Sequence, residues 1–183
     1  AKPARCFLGI QPGHRHFRDL KEGSQIHAIE GVLIYRFSSN LFFANIQILE
    51  RDIEDALQKD TKAVILDASG IGSMDITAAD RLGSLYQSLK KKGIRFYMTE
   101  HIAELNEQLR KLGLGYMIEE GSVRRTIHIA LKDMEIKRPY PLAGGVDNEE
   151  RSASRKRADN RVQEFVWAFG SDTEAQIEKQ ILK

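Results

Sequence analysis

Within the eleven positions 67 to 77 the chain places Asp67, Ser69, Ser73, Asp75 and Thr77 among small residues. Hydroxyls that attack or accept a phosphoryl group, and carboxylates that take a proton, are the side chains of nucleophilic and acid–base chemistry. A serine nucleophile needs a base beside it. The nearest histidine along the chain, His101, lies beyond the next apolar run, and no Gly-x-Ser-x-Gly elbow is present. Glycines at 70 and 72 in "SGIGSM" permit close backbone approach, and a helix opening after Asp75 would turn its first amides toward an anion or a partner protein. The Gly-Lys-Ser/Thr ending of a phosphate-binding loop is absent. Asp75 precedes the helical pattern and suits a cap, where loss of its carboxylate costs about 0.5–2 kcal/mol. The other reading joins Ser69, Gly70, Gly72, Ser73, Met74, Asp75 and Thr77 into one binding loop. No catalytic residue is assigned, and no enzyme activity is expected.

Other chemistry-bearing residues lead less far. His14 and His16 in "GHRH" would project alike from an extended segment, but no second ligand pair stands at zinc spacing, so no metal site is expected. The run 151–161 holds five basic residues, Arg151, Arg155, Lys156, Arg157 and Arg161, against Asp159. Without interleaved aromatics it reads as a solvated linker, and no nucleic-acid partner is expected. "LFFAN", Leu41 to Asn45, sets Phe42 and Phe43 side by side; on an extended segment the two rings cannot face one way, so one is expected at the surface.

The elements that must position these residues alternate. "GVLIYRF" (31–37), "KAVILD" (62–67) and "IRFYM" (94–98) are strand-like runs. Between them Ile46, Leu49, Ile53 and Leu57, and then Ala78, Leu82, Leu85 and Leu89, recur at helical spacing. The second helix closes on Lys90, Lys91, Lys92 and Gly93, with basic residues in its last turn and a glycine stop. Ile102, Leu105, Leu109 and Leu112 mark a third helix, Tyr116 to Ile118 a short strand, and Ser122 the cap of a helix carrying Val123, Ile127, Leu131 and Met134. The pattern predicts an α/β layer fold with a mostly parallel sheet of four to five strands and about four to five helices. Residues 1–30 form an extended N-terminal segment with an edge strand at Arg5 to Gly9, and 31–135 the core. A polar basic linker follows over 136–161, then an amphipathic helix over 162–183 with Val162, Phe165, Val166 and Phe169 near Trp167.

Composition narrows the class. The 183 residues, 42% hydrophobic and 30% charged, suffice for one compact domain. A net charge of +2 gives no overall pull toward nucleic acid or a membrane surface. The single cysteine, Cys6, rules out an internal disulfide and fits a reducing compartment. No apolar run approaches the roughly 20 residues that cross a bilayer. The chain is expected to be a cytoplasmic, soluble piece of something longer, since it opens on Ala1 rather than Met.

The succession "FLGIQPGHRHFRDL", "GVLIYRFSSNLFFAN", "KAVILDASGIGSMDITAADRL" and "KKKGIRFYMTEH" resembles the cytoplasmic STAS domain that ends SulP-type inorganic anion transporters, over about residues 5 to 135. The resemblance implies the STAS, anti-sigma factor antagonist-like fold and a non-enzymatic regulatory or protein-interaction role. The parent would be a transporter of sulfate or a related anion, its membrane domain the first partner. In the antagonists, a serine directly after the loop's Met-Asp pair accepts phosphate from a partner kinase. The matching position here is Ile76, without a hydroxyl, and Thr77 one residue later lies inside the helix. A free-standing antagonist-like switch is therefore the alternative. The resemblance also carries nucleotide binding, acyl carrier protein as a cytosolic partner and a homodimer formed through the parent. An acidic partner would meet a face of Arg81, Lys90, Lys91, Lys92 and Arg95, with Phe42 and Phe43 nearby. No cofactor is required.

Overall fold

The computed structural model describes residues 2–148 and 156–164. Its centre is a five-stranded sheet in the order β2-β1-β3-β4-β5. Strands β3 (Val32–Ser38), β4 (Ala63–Asp67) and β5 (Arg95–Thr99) run parallel, while β1 (Ala4–Gly9) lies antiparallel to β3 and to the two-residue β2 (Arg18–Asp19). All five residues of β4 are buried, as expected for a parallel strand covered on both faces.

Side-chain alternation divides the core in two. Tyr35, Phe37, Val64, Leu66, Phe96 and Met98 face one side with helices α1 (Ile46–Ala56), α2 (Ile76–Lys91), α3 (Ala103–Lys111) and α4 (Gly115–Glu119). Val32, Ile34, Ala63, Ile65 and Tyr97 face the other, with α5 (Ile127–Asp133) and the chain beyond it. Each fully buried Leu, Ile or Phe contributes about 1.5–3 kcal/mol of transfer free energy, which keeps both layers closed on the sheet. The C-terminal ends of β3, β4 and β5 thus share one edge, where the chain turns into α1, α2 and α3.

Four expectations need correction. Tyr116 to Ile118 is helical, not a strand: Met117 is buried while Tyr116 and Ile118 pack beside it, which one helical turn achieves as readily as a strand. The helix expected after Ser122 begins at Ile127, capped by Thr126 Oγ1, which accepts from Ile129 N–H; Val123 bridges Met98 in the sheet. The first strand is not a bare edge, because β2 pairs with it at Leu8 and Gly9. The polar linker does not start at residue 136: Ile136, Tyr140 and Leu142 are buried against the second core layer, and Leu142 bridges Ile29. Residues 156–164 are helical. Arg151, Arg155 and most of the helix expected over 162–183 lie outside the described residues.

Candidate functional site

The loop from Ala68 to Asp75 and the corner from Ser38 to Asn45 are built as one unit. Leu41 pairs with Met74, its N–H donating to Ser73 O at 2.9 Å, while Asp75 N–H donates to Leu41 O at 3.0 Å. Asn40 Oδ1 accepts from Gly72 and Ser73 N–H at 3.0 and 3.1 Å, and Gln108 Oε1 accepts from Met74 N–H at 3.0 Å. Lower down, buried Asp67 accepts from Ser69 N–H at 2.9 Å and pairs with Arg36 at 2.9 Å. The amides expected to stay open for an anion are thus consumed within the chain from Gly72 to Asp75. The glycines serve the same closure. A Cβ on Gly70 would sit 2.6 Å from Ser38 Cα, and one on Gly72 2.9 Å from Asn40 Oδ1.

Asp75 holds the unit to α2. Its Oδ1 accepts from Ala78 N–H at 2.8 Å, capping the helix, and its Oδ2 accepts from Phe43 N–H at 3.0 Å across the corner. Asn45 supports the other side, accepting from Phe42 N–H at 2.9 Å and donating to Asn40 O at 2.7 Å. With the Gly72 to Asp75 amides taken up, the edge also presents large side chains. Phe43 is 69% exposed, Ile76 56% and Phe42 39%. One ring was expected at the surface; both are, because the corner turns into a loop rather than continuing extended. Ser69 and Thr77 are exposed too, and Met74 is buried.

The basic residues do not join this surface as one patch. Arg81 makes a two-pronged pair with Glu50, at 2.7 and 2.5 Å, which ties α2 to α1. Lys91 and Lys92 are exposed at the far end of α2, about 22 Å of helix from Ile76. Lys90 pairs there with Glu120 at 3.1 Å. Glu120 also accepts from Tyr86 O–H, and burial together with that bond pushes Tyr86 up to about 12.

His101 binds Asn106 at 3.0 Å, its pKa pushed down by burial, and no hydrogen bond joins it to Ser69 or Ser73 among the described residues. Neither do the described residues hold a cluster of three or more His, Cys, Asp or Glu that would ligate a metal. The N-terminal loop returns to this edge, a contact no local pattern in the sequence indicates. His16 and Phe17 line a cleft of about 300 Å³ with Arg36, Asp67, Ser69 and Glu100.

Comparison with known proteins fixes the family. A family model described as STAS domain matches residues 24–130. The chain belongs to the STAS domain family. A Mycobacterium tuberculosis protein named "probable sulfate transporter" is 30% identical to this STAS chain over 135 residues, 72% of the chain and 24% of the relative. The chain thus spans about a quarter of the length of the curated relatives it matches. Among solved structures, the murine Solute Carrier 26 family member A9 anion transporter superimposes with a TM-score of 0.63 at 20% identity, over 74% of this chain and 22% of that one. The SulP transporter STAS domain from Vibrio cholerae gives 0.50 at 23% identity, over 64% and 94%. These likenesses show the STAS fold. No helix among the described residues is long and apolar enough to cross a membrane.

Proposed function

We propose that this STAS domain is a regulatory and protein-interaction module of a secondary active transporter of sulfate or a related inorganic or organic anion. In this reading it lies on the cytoplasmic side of the membrane and acts by contact, without turnover of a substrate. The observation that carries it is the corner where Phe42, Phe43 and Ile76 stand exposed beside a loop whose Gly72 to Asp75 amides are hydrogen-bonded within the chain. Large apolar side chains carried on a hydrogen-bonded loop spare the backbone's share of the ordering entropy on docking, which suits a contact face rather than a reaction centre. The relatives named sulfate transporters, of which the chain spans a quarter, supply the class of parent. The nearest partner is the membrane domain of the same protein. Lys91 and Lys92, at the other end of α2, offer a separate basic end to an acidic cytosolic protein such as acyl carrier protein.

The test compares uptake of labelled sulfate and of a dicarboxylate by cells producing the complete gene product, the same product without residues 1–183, and the Phe43→Ser/Ile76→Ser variant. Uptake altered by the deletion and by the double variant is expected. Uptake unchanged by both would refute the regulatory reading. A gene product with no membrane portion would favour the free-standing switch.

A further inference from the structure

We propose that the cleft between the N-terminal loop, α5 and residues 136–140 is a binding site for a phosphate- or sulfate-type oxyanion. It lies on the α5 face of the sheet and does not depend on the docking corner or on the transporter reading.

The cleft has a volume of about 320 Å³, and the cations lining it come from three separate parts of the chain: Arg15 from the N-terminal loop, Lys132 from the last turn of α5, and Lys137 and Arg138 from beyond it. No carboxylate lines it, and among the described residues Arg15, Lys132 and Lys137 make no ion pair. The negative end of α5 accounts for Lys132 alone. It does not explain why two other segments bring cations to the same concavity. Like charges gathered over a partly apolar wall raise the local potential, which a bound anion relieves. A guanidinium fork and ammonium groups are the donors that a tetrahedral oxyanion takes.

The wall is built rather than incidental. His128 Nε2 donates to the Arg15 carbonyl at 2.9 Å, and its Nδ1 is hydrogen-bonded to the Tyr140 hydroxyl at 2.5 Å. Phe17 packs against His128 at 5.0 Å between ring centres and against Tyr140 at 6.2 Å. At the end of α5, Glu135 takes a left-handed φ of 61°, and Ile136 N–H donates to Leu131 O at 2.9 Å. That turn brings Lys137 back beside Lys132. The space exceeds a bare tetrahedral ion, leaving room for part of the group that carries it.

The experiment uses the full 183-residue chain in nuclear magnetic resonance titrations with sodium phosphate and sodium sulfate, chloride holding the ionic strength constant. Saturable shifts are expected at the amides of residues 15, 128 and 132–140, with none from chloride. Arg15→Gln/Lys137→Gln should weaken binding roughly tenfold or more, each single variant less, while Lys91→Gln/Lys92→Gln leaves it unchanged. These side chains are exposed, and Lys137→Gln alone serves if the double variant folds poorly. A second arm floats the chain with phosphatidylcholine vesicles, with and without phosphatidylglycerol. Binding in the first arm alone assigns a soluble ligand. Binding to anionic vesicles alone, lost in Arg15→Gln/Lys137→Gln, assigns a lipid headgroup. No saturable binding in either arm, or binding undiminished in the double variant, overturns the site.

Discussion

Replacing Asp75 by alanine removes two acceptors at once. Oδ1 holds Ala78 N–H at 2.8 Å and Oδ2 holds Phe43 N–H at 3.0 Å. Loss of a cap costs about 0.5–2 kcal/mol. The second bond is to a charged group but lies on exposed backbone, where water replaces the carboxylate, so its loss adds about 0.5–1 kcal/mol. Asp75→Ala should therefore destabilise by about 1–3 kcal/mol. Asp75→Asn keeps one carbonyl oxygen for the cap and gives up the cross-corner bond, for a loss below about 1 kcal/mol. Urea unfolding at neutral pH measures both, with an unchanged slope expected because the folded surface is the same. Amide exchange separates the two bonds: Phe43 should exchange faster in both variants, Ala78 only in the alanine variant. An alanine variant as stable as the parent would show that Asp75 holds neither element. An asparagine variant as damaged as alanine would show that the charge matters and the acceptor geometry does not.

Gly70→Ala should destabilise by about 1–3 kcal/mol, read by the same unfolding curves, because its Cβ would stand 2.6 Å from Ser38 Cα and the backbone must shift. Ile136→Ala should cost about 2–5 kcal/mol, because Ile136 is buried in the second core layer; a cost near zero would show that this stretch does not belong to the core. Tyr35 is pushed above the usual tyrosine range, chiefly by burial and by its hydrogen bond to Asp52, and Tyr86 is pushed up to about 12. Both favour the neutral form in the folded state. Their contribution is complete below the unfolded value of about 10 and is lost as pH rises above it. Thermal midpoints followed upward from pH 9 should fall, and Tyr35→Phe/Tyr86→Phe should flatten that fall. Phe43→Ser/Ile76→Ser should leave stability within about 0.5 kcal/mol, since both side chains face solvent.

The strands "GVLIYRF", "KAVILD" and "IRFYM" and the three helical stripes between and after them were legible because each has the period of its element and a sheet covered on both faces demands unbroken apolar runs. Tyr116 to Ile118 misled because three adjacent apolar residues carry no period. Ile136, Tyr140 and Leu142 were hidden for a related reason: they are spaced through Lys, Arg and Pro and bury one at a time in an irregular path that no periodic template detects. At the loop, Asp75 could be placed before a helix from spacing alone. That Asn40 and Gln108 would take up the loop amides could not, since those partners stand 32 to 34 positions away and meet the loop only through the sheet's order. Of the adjacent pair Phe42 and Phe43 the sequence places one ring at the surface, and only the corner's geometry turns both outward.

Strand β1 also has a mechanical meaning. It runs against β3 in the register Ala4 with Ser38, Arg5 with Phe37, Cys6 with Arg36 and Phe7 with Tyr35. Tension applied at residue 4 along the strand axis loads that ladder in shear, so its hydrogen bonds must break together rather than peel one after another. The same pull reaches Ser38, against which Gly70 is packed, and so arrives at the loop within one residue of the ladder's end. A tug on the beginning of this domain is therefore resisted by the ladder as a whole and felt directly at the corner that carries Phe43.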